Sequence, residues 1–129
     1  MSEKRVVRTE AAPAPFQGAP YSQAIAAGDF VFVSGQLGLG PGDTEISGGI
    51  EEQTEQVFAN LEAILEEAGS GLDRLVKTTV YLQRLDDFQP MNSVYAKHVG
   101  ERPPARATVE VAKLPSGALV EIDAIAHLS

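Results

Sequence analysis

Two side chains have the type and setting for chemistry. Arg106 follows Arg102-Pro-Pro-Ala and opens a segment that alternates like a strand. A guanidinium presents parallel N–H donors that match a carboxylate better than an ammonium does, so Arg106 suits the role of clamp for a small organic acid. The structural alternative is an ion pair with Glu110 or Glu121, since exposed strand arginines are common and mostly inert. Glu121 sits in Ala-Leu-Val-Glu-Ile-Asp-Ala-Ile-Ala, an otherwise apolar run. Partial desolvation there raises a carboxyl pKa and makes the group a proton donor or a holder of water. The plainer alternative is a glutamate on the wet face of an alternating strand.

Weaker candidates surround these two. Tyr21 and Ser34 flank a predicted hairpin, and Ser34-Gly35 can offer a hydroxyl and an unobstructed backbone N–H to an anion; a simple turn is the alternative. Asn92 lies among better helix formers, where it is either placed for a hydrogen bond or an ordinary surface residue. His98 and His127 are the only histidines and show no ligand spacing, and the absence of cysteine removes thiolate zinc sites, disulfides and thiol nucleophiles. The expectation is a site with no metal and no cofactor.

Composition narrows the function classes. With 129 residues, 43% apolar and 22% charged, the chain is expected to form one globular domain. Eighteen acids against ten scattered bases give a net charge of -8, unsuited to phosphate backbones or anionic membranes. The N-terminal segment lacks the apolar stretch of a signal peptide, and the longest apolar run, 24–35, is interrupted by Asp29 and too short to span a bilayer. The expected location is the cytoplasm.

The elements that must position these residues follow from periodicity. Residues 4–9 read as a short edge strand, and 22–27 and 30–34 as a hairpin around Gly28-Asp29. Residues 37–49, with five glycines and a proline, read as a loop. In 50–68, Ile50, Val57, Leu61, Ile64, Leu65 and Ala68 recur at helical spacing, and Gly69 stops the helix. Residues 75–82 read as a strand. Asp86 or Asp87 caps a second helix, with Pro90 in its first turn, Phe88, Met91, Val94, Tyr95, His98 and Val99 on its buried face, and Gly100 at its end. Strands 105–113 and 119–128 follow. Two helices cover one face of a five- or six-stranded sheet. Alternation in the last two strands places Arg106, Thr108 and Glu110 opposite Ala107, Val109 and Val111, and Glu121, Asp123, Ile125 and His127 opposite Val120, Ile122, Ala124, Ala126 and Leu128. Arg106 and several acids are assigned to the helix-free face, which a symmetry mate is expected to share.

Taken together, the segments resemble the RidA (YjgF) family of reactive-intermediate deaminases. The residues that carry the resemblance are Gly18-Ala-Pro-Tyr-Ser-Gln-Ala, Gly28-Asp-Phe-Val-Phe-Val-Ser-Gly-Gln, Thr54-Glu-Gln-Val-Phe-Ala-Asn-Leu, Val76-Lys-Thr-Thr-Val-Tyr-Leu and Asp87-Phe-Gln-Pro-Met-Asn-Ser-Val-Tyr. Most specific are Pro103-Pro-Ala-Arg-Ala-Thr-Val-Glu-Val and Leu119-Val-Glu-Ile-Asp-Ala-Ile-Ala. The resemblance implies a chorismate-mutase-like α+β fold, a homotrimer with clefts at subunit interfaces, and hydrolysis of 2-imino acids such as 2-iminopropanoate and 2-iminobutanoate to 2-oxo acids and ammonia. It assigns Arg106 to the substrate carboxylate, Glu121 to the attacking water, and Tyr21, Ser34, Gly35 and Asn92 to the pocket. Thr108 stands where several members carry Cys, which removes thiol reactivity. Gly38 replaces a common proline and is expected to loosen the pocket rim. The rival functions are a small-carboxylate sensor at the same clefts and a structural, chaperone-like oligomer. Ribonuclease activity, attributed to some relatives, fits poorly with the charge.

Overall fold

A computed structural model describes residues 3–128. The strands are β1 (Arg5–Val7), β2 (Ala24–Ala27), β3 (Phe30–Leu37), β4 (Leu75–Leu82), β5 (Ala105–Glu110) and β6 (Val120–His127); the helices are α1 (Ile50–Ala68) and α2 (Phe88–Val99). They form one six-stranded sheet in the order β1-β2-β3-β6-β4-β5. Among the described residues only β4 and β5 run parallel, joined through α2, and the other pairings are antiparallel. The last strand thus lies in the middle of the sheet, between β3 and β4.

Local chemistry explains the elements. Gly28 adopts φ +59 in the two-residue turn between Ala27 and Phe30, a conformation that costs glycine little. The α1 stripe is fully buried at Val57, Leu61, Ile64 and Leu65, and Gly69 ends the helix at φ +91. Glu52 reaches back to accept a bond from the Gly49 amide at 2.9 Å, satisfying one of the donors left unpaired at the start of the helix. Asp87 stands at the N-cap of α2 without a side-chain capping bond. Both helices lie on one face of the sheet, over the buried Val31, Val33, Val80, Leu82, Ile122 and Ala124. Along β6, burial alternates residue by residue: Val120, Ile122, Ala124 and Ala126 face the helices, whereas Glu121, Asp123, Ile125 and His127 face away.

Four expectations need correction. β5 stops at Glu110 rather than 113, and β3 extends to Leu37. Arg106 is not on the helix-free face. In the β4–β5 register it stands opposite Thr78, which is fully buried and bonded to Tyr95 of α2, so Arg106 and Thr108 lie on the helix side. Alternation groups the residues of an edge strand correctly without saying which group faces the helices. The rim at Gly38 is not loose either. Gly38 is buried, and a Cβ there would lie 2.8 Å from Gln53 Cα, so the absent side chain lets loop and helix touch. Asn60, buried in α1, donates to the carbonyls of Leu37 and Leu39 at 3.1 and 2.9 Å and ties the same loop down.

Candidate active site

The residues singled out by type form two groups on opposite faces of the sheet. The first is on the helix side, at the β5 edge. The Arg106 guanidinium carbon lies 4.7 Å from the centroid of the Tyr95 ring and 5.6 Å from that of Phe88, both on α2. These distances are within cation–π range, and the rings orient the side chain without consuming its N–H donors. Among the described residues no carboxylate pairs with Arg106. The expected structural partners are engaged or remote: Glu110 accepts the Leu85 amide at 2.8 Å, and Glu121 lies on the other face. Asn92 is four residues from Phe88 and three from Tyr95, hence on the same stripe of α2. Its Oδ1 and the Thr108 Oγ1 are buried and lack any hydrogen-bond partner among the described residues. Buried polar atoms without partners are uncommon, because each forfeits hydration without compensation.

The second group surrounds a cavity of about 650 Å³ on the helix-free side, lined by Tyr21, Ser34, Gly35, Glu121 and Asp123 and by an apolar wall that includes Phe16, Phe32, Leu37 and Ile125. A β-bulge shapes it. Val33 pairs with Ala124 and Gln36 with Ile122, so β3 advances three residues while β6 advances two, and the ladder skips Ser34 and Gly35. The Ser34 hydroxyl donates to the Ser22 carbonyl at 2.6 Å, and its amide donates to the Gln23 carbonyl at 2.9 Å. Glu121 lies against Gly35: an added Cβ would overlap its carboxylate oxygen and come within 2.9 Å of Cδ. Burial, and secondarily the charge of Asp123, hold the Glu121 carboxyl above its usual pKa. The Tyr21 hydroxyl accepts the Phe16 amide at 2.7 Å and closes one side.

Sequence reasoning missed four contributors. Phe88 and Tyr95 read as core residues, and only the β4–β5 register shows that they flank Arg106. Gln23 is buried and donates to the carbonyls of Thr9, Ala12 and Pro13, fixing the chain that forms one cavity wall. Asp123 accepts a hydrogen bond from the Tyr81 hydroxyl at 3.0 Å, and the tyrosine pKa is raised chiefly by that bond. The alternation of β6 was the available signal for Asp123, because it shares a face with Glu121.

The family described as Endoribonuclease L-PSP matches residues 9–128, nearly the whole described chain. The chain belongs to the RidA/YjgF family. A RutC family protein of Pyrococcus abyssi is 52% identical over 125 residues, covering 96% of this chain and 97% of its own. The chloroplastic Reactive Intermediate Deaminase A of Arabidopsis thaliana is 47% identical over 127 residues, covering 98% of this chain and 67% of its own. The crystal structure of E. coli TdcF with bound serine superimposes with a TM-score of 0.89 at 34% identity, covering 97% of this chain and 99% of that one. The RidA-type fold is thus established, with the six-stranded mixed sheet and two helices described above. Among the described residues no helix of this RidA-family protein is long and apolar enough to cross a membrane.

Proposed function

We propose that this RidA-family protein hydrolyses 2-imino acids, including 2-iminopropanoate and 2-iminobutanoate, to 2-oxo acids and ammonia at sites completed between the subunits of a homotrimer. The observation that carries this reading is the division of the site. One face of the subunit holds an arginine that, among the described residues, has no carboxylate partner, beside two buried oxygens likewise without partners; the other holds a cavity with a desolvated carboxyl group. Neither half is a complete imine site. The helix-free face exposes large apolar side chains, with Phe32 44% and Val109 43% accessible, so a second copy packed there gains from burying them. The relative named Reactive Intermediate Deaminase A supports the reaction, and the serine held by TdcF supports a small carboxylate-bearing ligand.

In the reaction, Arg106 takes the substrate carboxylate through charge-assisted hydrogen bonds, and the Asn92 and Thr108 oxygens border the same end. Water adds to the C2=N carbon beside Glu121 of the neighbouring copy, giving a carbinolamine. Glu121 then passes a proton to nitrogen, the C–N bond breaks, and ammonia leaves as the C=O bond forms. Orientation supplies much of the advantage, because a water and an imine held in place react as if intramolecular. No bound cofactor is required by these steps. A ribonuclease reading gains nothing from a surface of net charge -8.

The test is the decay of 2-iminopropanoate generated in situ by an amino-acid oxidase. Wild type accelerates decay, and Arg106→Ala lowers kcat/KM roughly 100-fold, the scale of losing a bidentate charged contact. Equal decay with and without protein would favour the small-carboxylate sensor.

A further inference from the structure

We propose that Asp123 is a positioning residue for Glu121: its carboxylate, pinned by the Tyr81 hydroxyl, lies on the same face of β6 two residues away and governs whether Glu121 carries its proton when substrate arrives. The inference rests on the reading of Glu121 as the proton-transfer group of imine hydrolysis.

The geometry is specific. Tyr81 of β4 stands directly opposite Glu121 in the antiparallel ladder, yet its hydroxyl reaches the diagonal neighbour Asp123 at 3.0 Å. A phenol that donates to a carboxylate fixes its position. Both carboxyl groups line the same cavity. The other groups facing Glu121 do not neutralise Asp123. The β3 bulge, Ser34 to Leu37, contributes no charge, and Tyr21 contributes a phenol. On β4, Lys77 lies farther along the face, opposite Ile125, and donates to the Thr79 hydroxyl at 3.2 Å; β5 presents only Ala105, Ala107 and Val109 to this face, and His127 lies at the far end of β6. Within one subunit the fixed charge nearest Glu121 is therefore negative, and it adds to burial in raising the Glu121 pKa.

A protonated glutamate is what the collapse of the carbinolamine needs. The Glu121 O–H gives its proton to the amino nitrogen, and the C–N electron pair leaves with ammonia. The adjacent hydroxyl oxygen closes to C=O and returns its proton to Glu121, so the acid is regenerated. Without a neighbouring anion, more of the glutamate would be ionised near neutral pH and fewer encounters would be productive.

The test compares wild type with Asp123→Asn, which keeps the shape and can still accept the Tyr81 hydrogen bond, and with Tyr81→Phe, which keeps the charge and frees it to move. Two readouts are taken: the carbon-13 titration midpoint of the Glu121 carboxyl, assigned with Glu121→Gln, and the pH profile of kcat/KM for imine hydrolysis. Asp123→Asn lowers the midpoint by roughly half to one pH unit, as expected for removing a like charge several ångströms away across a partly wet site, and the glutamate-dependent limb moves acidward equally. Tyr81→Phe shifts both in the same direction by less. An unmoved midpoint in both variants overturns the inference, as does a shifted midpoint with an unshifted limb. Wild-type protein inactive on imines overturns the reaction proposed above, and the midpoints still decide the coupling.

Discussion

The two faces of the sheet solve different problems with the same polypeptide. On the helix side, Arg106 is held between elements that form the core: Tyr95 lies under its guanidinium and also bonds Thr78 at 2.6 Å within buried surroundings. Its position is inherited from packing. On the other side, Glu121 rests on backbone irregularity, a bulge at Ser34-Gly35 and a missing side chain, facing a cavity rather than a core. A cation is thus oriented by aromatic faces and a carboxyl group by a gap. Rings that cover a guanidinium leave its donors usable, whereas a carboxyl group with a raised pKa needs surroundings that withhold water without offering a counter-ion.

The largest test of this contrast mixes two damaged proteins. Arg106→Ala leaves the Glu121 half intact and Glu121→Gln leaves the Arg106 half intact. Each variant alone is nearly inactive toward 2-iminopropanoate. Unfolded and refolded together in equal amounts, they recover about a quarter of the wild-type sites if every site draws one half from each of two copies. Recovery at the background of the separate variants would place the site within one subunit.

Gly35→Ala probes the gap. The φ of Gly35 is not positive, so alanine suits the backbone, but its methyl displaces the Glu121 carboxylate. The expected result is roughly a tenfold fall in kcat/KM with little change in melting temperature, because misplacing a reacting group by part of an ångström is costly to rate and cheap to fold. An equal fall in Gly35→Ala/Glu121→Gln relative to Glu121→Gln would mean that the glycine serves something else.

The smallest effect is on stability. The Glu121 pKa is raised in the folded protein, so its contribution is fully present below the ordinary glutamate value of about 4.3 and is lost as pH rises through the folded value. Glu121→Gln, which has no charge to bury, is therefore expected to melt above wild type at pH 7, the difference shrinking toward acid. Melting curves from pH 4 to 8 check this, and a difference that grows toward acid would contradict the assigned burial.

Much of the molecule was legible because short-range periodicity carries it. The α1 stripe, the Gly28-Asp29 turn and the alternation of β6 each follow from neighbours along the chain, and alternation alone put Glu121 and Asp123 together on the side away from Val120 and Ile122. β5 was misassigned because it is an edge strand. Its exposed Ala107 and Val109 and half-buried Arg106 and Thr108 offer no strong contrast from which to infer the covered face.

The sequence by itself determined which residues share a face, since side chains of a strand must alternate and those of a helix must recur every three or four positions. Only the tertiary structure decided which face that is, because the choice depends on the β4–β5 register, on α2 crossing above it, and on β6 returning to the centre of the sheet. Those are contacts between segments far apart in the chain, and no local pattern encodes them. They separate Arg106 from Glu121 by the thickness of the sheet, and so turn what reads as one site into two halves.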